Sequence, residues 1–410
     1  MDRDHPSETT LWPCVDVGGT STRLLLVAGP EHEQPSPPIR VEKATPPGLT
    51  GVAEAVRSCI QEATEIAEGR GYTVARALAV GTPGRIETGA GGQRVIAPGS
   101  AVNLESFPGE MDGLDLAAEL ANALGLSPSR VFWDNDAVVQ GLYLIDDLLQ
   151  NPKSRSRVIG RTVVCINPGT GLGGCVADVG EDSIEVFTDG HISELLIHPV
   201  ELSASLGAVE VRALSSADGT RIELEIRAGR SSVHDSLISP DTKQAENFLA
   251  GTGMERIANR LDALCARCSP PIPCFADKDR AVDGRMLSDL ISSGPDSTAA
   301  RAAGFVGDLG GHALARLMTV LHDGTAVKSA PYPNWSPAEI DRIRGVTRFV
   351  LGGGISRTPL GQRMIESARE RLAHWPELEI FVRDQVVDAG ALGAFSLIPP
   401  QVRRTVEGTS

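Results

Sequence analysis

The sequence has no apolar run long enough to span a bilayer, and its opening, Met1 to Thr10, lacks the apolar core of a secretory signal. A cytoplasmic location is the resulting expectation. Basic charge is also in short supply: 38 Lys and Arg against 53 Asp and Glu leave a formal net charge of −15. Such a balance opposes general affinity for nucleic acid or for an anionic membrane, because both repel an acidic surface. No repeat of fixed period is visible. Cysteine is sparse and odd in number, seven in 410 residues, which without a secretory signal favours reduced thiols over a disulfide framework. Cys14, Cys165 and Cys175 sit in or beside apolar, strand-like runs and read as small buried hydrophobes. Cys265, Cys268 and Cys274 are closer together and could offer three thiolates to zinc. Pro270, Pro271 and Pro273 crowd that interval and no His follows at finger spacing, so a metal site and ordinary cysteines both stay open there.

What the chain does have is glycine in ordered turns. Asp16-Val17-Gly18-Gly19-Thr20 stands near the start, Gly169-Thr170-Gly171-Leu172-Gly173-Gly174 in the middle, and Leu351-Gly352-Gly353-Gly354 and Asp388-Ala389-Gly390-Ala391 late. Asp134-Asn135-Asp136 lies between the first two. Each turn follows an apolar run that serves as a strand, and the ordered set reads as a nucleotide clamp around one acidic residue. The length allows two domains, and 41% hydrophobic with 22% charged residues is ordinary for a globular chain.

Periodicity supplies the elements. Cys14–Val17 and Thr22–Val27 flank the first turn as a hairpin, unlike the strand-to-helix loops of dinucleotide or Walker sites. After a Pro-rich link from Pro35 to Pro47, Gly51–Gly69 has helical spacing; Ala77–Val80 and Val131–Trp133 are strands and Leu114–Leu124 a helix. Thr162–Ile166 enters the second turn, and Val209–Arg227 alternates about Asp218-Gly219, which predicts a hairpin. Glu246–Ala266 and Ser297–Leu321 are long helices, and Ser336, Pro337 and Glu339 form a capping box at the start of another. Arg348–Leu351 is the strand into the third turn and Ala389–Leu397 a small-residue helix. Strands alternating with helices in two halves predict two α/β lobes with a cleft between them. The expected division is 1–134, with the C-terminal helix at 388–410 packing back on it, and 135–387.

The chemistry of these positions is specific. Glycines at 18 and 19 let backbone N–H groups approach phosphoryl oxygens, the Thr20 hydroxyl adds a donor, and Asp16 can organise hydrated Mg²⁺. Asp16 also lies in an apolar strand, where an unpaired carboxylate is costly, and this favours function over a solvated turn. Gly169–Gly174 reads as a partner turn or a glycine hinge, and Gly352–Gly354 as an adenosine contact or a tight turn. Asp136 is the candidate general base for a sugar hydroxyl attacking a γ-phosphoryl group. The alternative is that Asp134-Asn135-Asp136 caps the next helix, and both roles can coexist. Asn103 and Asn135 offer amides to vicinal hydroxyls, and the loop Ala97–Ser100 could cover a sugar. Glu194, His191 and His198 could complete that pocket, with structural roles equally open for the histidines.

The ordered motifs Asp-x-Gly-Gly-Thr, Thr-Pro-Gly, Asn-Leu, Asn-Asp-Ala, Gly-Thr-Gly-x-Gly-Gly, Glu-to-His and Gly-Gly-Gly closely resemble those of the ROK family (repressors, open reading frames, kinases), from about Trp12 to Leu397. That resemblance implies a two-lobed actin-like ATPase (ribonuclease H-like) fold with an interlobe cleft. It implies ATP- and Mg²⁺-dependent phosphorylation of a hexose such as glucose, fructose, N-acetylglucosamine or N-acetylmannosamine, and homodimers are common among the proteins resembled. By motif, Asp16, Gly18, Gly19 and Thr20 correspond to the first phosphate site, and Gly169, Thr170, Gly171 and Gly173 to the second. Gly353 and Gly354 correspond to the adenosine site, Asn103, Asn135, Glu194 and His198 to sugar ligands, and Asp136 to the base.

Three departures stand out. The family's compact Cys-x-Cys-Gly-x-x-Gly-Cys zinc loop is replaced by the Val209–Arg227 hairpin, the later cysteines do not match it, and Glu194-Leu-Leu-Ile-His198 is longer than the usual Glu-x-Gly-His. This leaves room for an unusual acceptor such as a C7-cyclitol. Against a repressor stand the fifteen residues before Asp16, too few for a winged domain, and the acidic charge. A catalytically inactive sugar-binding regulator would need neither Asp16 nor Asp136, and an actin-like ATPase would activate water instead of a sugar.

Overall fold

The computed structural model describes residues 9–18, 20–30, 32–46, 48–98, 100, 111–181, 183–188, 191–197, 208–215, 222–229, 244–266, 275, 282–294, 297–329, 333–383 and 388–407. Contacts divide the chain into Met1–Arg157 with Gln385–Ser410, and Val158–Asp384. The division expected at 134/135 falls earlier than this one. The physical reason is that the helix Asp136–Gln150 packs on the helix Ala389–Phe395 and on the central strands of the first unit.

In the first unit the strands are β1 Thr10–Val17, β2 Ser21–Ala28, β3 Arg40–Ala44, β4 Thr73–Val74, β5 Leu78–Thr82, β6 Ile86–Thr88, β7 Arg94–Ile96 and β8 Val131–Asn135. The sheet order is β3-β2-β1-β5-β8, with β4 beside β1 and with β6 and β7 forming a separate ribbon. β1 alternates strictly. Leu11, Val15 and Val17 join Val52, Val56, Cys59 and Ala63 of the helix Gly48–Gly69 in one apolar cluster. Trp12 and Cys14 face the other way, onto Val139, Ala391, Ala394 and Ile398. Asp16 continues this second row, so the period-2 alternation of a strand delivers its carboxylate to the side covered by the C-terminal helix. β3 sits inside the stretch expected as a Pro-rich link; only Val41 of its five residues is buried, and so brief an edge strand leaves little pattern to read.

The second unit contains β9 Arg161–Pro168, β10 Leu172–Val179, β11 Ile184–Val186, β12 Ala208–Ser215, β13 Ile222–Gly229, β14 Arg348–Leu351 and β15 Glu379–Val382. Its main sheet runs β11-β10-β9-β14-β15. Val164, Ile166, Phe349 and Leu351 pack against Val306, Leu309, Leu314 and Leu317 of the long helix Thr298–His322, and Met364 of the helix Pro359–Arg371 joins them. The expected hairpin forms as the antiparallel pair β12–β13, with Val211 opposite Ile226, and its Asp218-Gly219 turn lies outside the described residues. The capping box at Ser336 forms as expected, with its hydroxyl accepting from the Glu339 N–H and the Glu339 carboxylate accepting from the Ser336 N–H.

One helix departs from the expectation. Glu246–Ala266 is broken into Glu246–Leu249 and Gly251–Ala266, because Ala250 is extended at φ −77° and ψ 154°. The Gly251 N–H instead donates 2.8 Å to Gly169 O, in the second glycine turn. Among the described residues no helix is long and apolar enough to cross a membrane.

Candidate active site

In the first unit the acidic residues of the sequence take separate jobs. Asp134 is held by Arg94, whose Nη2 donates to its Oδ2 at 2.6 Å while Nη1 donates to Trp133 O at 2.8 Å. Asn135 is the N-cap of the helix Asp136–Gln150, its Oδ1 accepting from the Ala137 N–H at 2.9 Å. Its Nδ2 donates to Gly84 O at 2.8 Å, so both ends of the amide expected to contact sugar are engaged inside the protein. This bond ties the helix start to the Thr82–Gly84 turn, and Ser100 continues the connection by accepting from the Arg85 N–H at 2.9 Å. Asp136 then opens the helix, with Oδ1 accepting from the Ala137 N–H at 2.8 Å.

Burial, followed by the negative charge of Asp16, pushes the Asp136 carboxyl up to about 7. Asp136 thus lies within reach of the Asp16 charge. Burial also raises Asp16; the Arg23 guanidinium, opposite it on β2, works against this, and Asp388 adds to it. Asp388 is paired with Arg40 at 3.1 Å, and the helix it precedes lays Gly390 directly on the Asp16 carboxylate. A Cβ at 390 would stand 2.5 Å from Asp16 Cγ, so the fourth glycine of the sequence set is there to let a carboxylate in. At the hairpin tip the Gly18 N–H donates to Ser21 O at 2.9 Å, and Thr20 O accepts from the Thr45 N–H at 3.1 Å. Gly19 and Asn103 lie outside the described residues.

The second unit gathers glycines at the carboxyl ends of its parallel strands β9 and β14, the ligand side of open α/β sheets in general. The Gly169 N–H donates to Gly171 O at 2.8 Å, and Thr252 Oγ1 donates to Thr170 O at 3.2 Å. Glu246 accepts from the Leu172 N–H at 3.4 Å and braces the far side of the turn. Gly353 has φ +76°, and any Cβ there would overlap the Pro168 carbonyl, so this turn requires glycine on both counts. Gly354 has open space around its Cβ position. Two residues before Gly169, Asn167 is 4% exposed, and neither atom of its amide has a hydrogen-bond partner among the described residues.

Glu194, expected near a sugar, is buried in the short turn Ile192–Glu194, where it accepts from Gln244 Nε2 at 2.7 Å and Ser329 Oγ at 3.2 Å. His191 immediately precedes that turn, and His198 lies outside the described residues. Cys268 and Cys274 also fall outside them, while Cys14, Cys59, Cys165 and Cys175 are buried and form no disulfide among the described residues. Sequence reasoning did not pick out Asn167, Glu246 or the Gly251–Gly253 helix start. A signal for Asn167 was present: Cys165-Ile166-Asn167-Pro168-Gly169 echoes Cys14-Val15-Asp16-Val17-Gly18.

These donors suit two groups. Unbonded amide atoms beside glycine N–H groups fit a phosphorylated ligand, and the oxygens of Asp16 fit Mg²⁺, a hard cation that keeps several waters. Among the described residues no cluster of three metal-ligating side chains is assembled.

No protein-family model matches the sequence, and no curated protein matches it either. Solved structures do match. A ROK hexokinase from Thermus thermophilus aligns over 96% of this chain and 99% of its own, at TM-score 0.56 and 21% identity. The fold is that of ROK proteins. A glucokinase from Balamuthia mandrillaris in complex with glucose aligns over 96% of this chain and 95% of its own, at TM-score 0.56 and 14% identity. A ROK-family transcriptional regulator, homologous to the Escherichia coli MLC protein, aligns over 98% of this chain and 79% of its own, at TM-score 0.59 and 12% identity. The two-sheet, mixed α/β architecture of this chain is thus the ROK and glucokinase architecture, of the actin-like ATPase type.

Proposed function

We propose that this protein is an ATP-dependent kinase that phosphorylates a hydroxyl of a hexose or related sugar, with Asp136 as the general base. The observation that carries this reading is the placement of Asp136, at the end of β8 and the start of a helix, where burial and the charge of Asp16 raise its carboxyl to about 7. A base held near neutrality combines a useful ionised fraction with a useful driving force for proton uptake. Such a pair of carboxyls in a non-enzymatic sugar binder would lower stability for no return.

In the proposed reaction the sugar oxygen attacks the γ-phosphorus, its proton passes to Asp136, and the bond from phosphorus to the β-bridging oxygen breaks to release ADP. Asp16 would hold Mg²⁺ through water, and the ion would neutralise charge on the phosphates. Gly18, Gly19 and Thr20 are assigned to one phosphate contact, Gly169, Thr170, Gly171 and Gly173 to another, and Gly353 and Gly354 to the adenosine. Asn103, Glu194 and His198 are assigned to the sugar, and Asn135 to orienting Asp136 through its cap and its bond to Gly84. A soluble, intracellular enzyme, with Mg²⁺ as its only required metal, completes the reading.

The fold does not choose between kinase and regulator, since both occur among the similar structures. The decisive measurement is ATP consumption with hexoses, N-acetylhexosamines and C7-cyclitols, with the phosphorylated product identified by mass. A phosphosugar made by the wild type and lost in Asp136→Asn supports the kinase. Sugar binding without turnover under any acceptor overturns it in favour of a regulator.

A further inference from the structure

Both main sheets pair their strands in one pattern: antiparallel, antiparallel, parallel, parallel, along β3-β2-β1-β5-β8 and along β11-β10-β9-β14-β15. Their first strands end alike, Cys14-Val15-Asp16-Val17-Gly18 in one and Cys165-Ile166-Asn167-Pro168-Gly169 in the other. Asp16 stands level with Gly81 on β5. Asn167, one residue past the Ile166–Leu351 pair, comes level with Gly352, whose N–H donates to Ile166 O at 3.0 Å. Asn167 is therefore the second unit's counterpart of Asp16. Across β10 its partner is Gly173, so glycines flank it on both neighbouring chain segments.

The amide itself is out of place as a structural group. Asn135 has both amide ends bonded, whereas Asn167, at 4% exposure, has neither Nδ2 nor Oδ1 bonded. An unmade hydrogen bond on a buried polar group costs about 1–3 kcal/mol, and native proteins rarely leave two on one side chain. A bound ligand removes that cost. The change from Asp to Asn at this position also has a direction: an amide N–H can approach a phosphoryl oxygen that a carboxylate would repel.

We infer that Asn167 is a nucleotide-binding residue, its Nδ2 donating to a phosphoryl oxygen of a nucleoside triphosphate and its Oδ1 accepting from water carried by that ligand. This rests on the kinase reading and adds a contact to it.

The test is calorimetric titration of the full chain with Mg·ATP, Mg·ADP and adenosine, for wild type, Asn167→Leu and Asn167→Asp, with thermal unfolding of each. Asn167→Leu keeps the heavy-atom count and the branch at Cγ and removes the two unbonded polar atoms, so its Tm should equal or exceed that of wild type. Its affinity for Mg·ATP should fall about ten- to a hundredfold while adenosine binding stays unchanged, as expected for loss of a hydrogen bond to a charged group. Asn167→Asp should show the same split with a larger loss, and it serves equally if the Leu variant does not fold. A lower Tm with unchanged ATP affinity would make Asn167 a structural amide and overturn the inference. Equal weakening of ATP and adenosine overturns it too, as damage to the site's shape. Wild-type protein that binds none of the three nucleotides would overturn the kinase reading itself, a separate and recognisable result.

Discussion

The two main sheets of this protein are built on one plan and finished differently. In the first, the strand before the glycine turn carries Asp16, with Arg23 across from it, Gly390 packed on its carboxylate and Asp136 close enough to feel its charge. In the second, the matching strand carries Asn167 between glycines, and the one carboxylate described at the following turn, that of Glu246, accepts from the Leu172 N–H. The difference teaches how one strand plan can be finished with different side chains at a matching position. One sheet concentrates carboxyls, and there burial, followed by the negative charge of Asp16, raises Asp136 to about 7. The other puts an amide, Asn167, at the position where the first has a carboxylate.

The contrast is broken hardest in the first unit. Asp136→Asn should lower kcat by about a hundredfold to ten-thousandfold with little change in sugar KM, the usual cost of losing a general base. A variant within threefold of wild-type kcat would remove Asp136 from that role. The next largest effect belongs to the second unit and is structural. Gly353→Val meets both a positive φ and the Pro168 carbonyl, so it should lower Tm by more than about 5 °C, while Gly354→Ala, with open space at its Cβ, should leave Tm within about 2 °C. Circular-dichroism melts of the pair decide this, and equal melting temperatures would show that the turn relaxes.

Smaller still is a purely functional effect in the same unit. Gly171→Val puts a branched side chain against Glu246 Oε1, 3.0 Å from the Cβ position, and should raise KM for ATP about tenfold with sugar KM nearly constant. Steady-state kinetics in both substrates separates this from general damage, which would move both.

The finest test sharpens the electrostatics. Asp136 must be ionised to accept a proton, so kcat/KM of the wild type should fall as pH drops below about 7, and in the metal-free protein Asp16→Asn should move the Asp136 carboxyl titration, followed by NMR, to lower pH by removing the like charge. A titration that stays put in Asp16→Asn would uncouple the two carboxyls. The same shift governs stability. Because the folded-state pKa lies above that of an unfolded carboxyl, Asp136 favours the native state at low pH and loses that contribution as pH rises from about 4 through about 7. Asp136→Asn should therefore raise Tm by a few degrees at pH 8 and leave it unchanged at pH 4.

Much of the fold was legible because it is local. Alternation marked β1 and β2 around Gly18, the pattern about Asp218-Gly219 marked the β12–β13 hairpin, and Ser336, Pro337 and Glu339 marked a helix start through bonds within four residues. β3 was not legible, since five residues with one buried side chain depend on β2 for their existence. The break at Ala250 was hidden for a similar reason: the Gly251 N–H prefers the Gly169 carbonyl, more than eighty residues away in sequence, to its place in a continuous helix.

The candidate site divides along the same line. By itself the sequence determined where glycines end strands and that an Asp-Asn-Asp segment ends β8, because strand alternation, turn geometry and capping act over a few residues. Which of those three residues pairs, which caps and which titrates was decided only in three dimensions. Arg94 takes Asp134, Gly84 takes Asn135, and burial beside Asp16 raises Asp136, each through a partner that folding brings from at least forty residues away. The unbonded state of Asn167 has the same origin, for burial and the absence of a partner are properties of surroundings that no window of sequence contains.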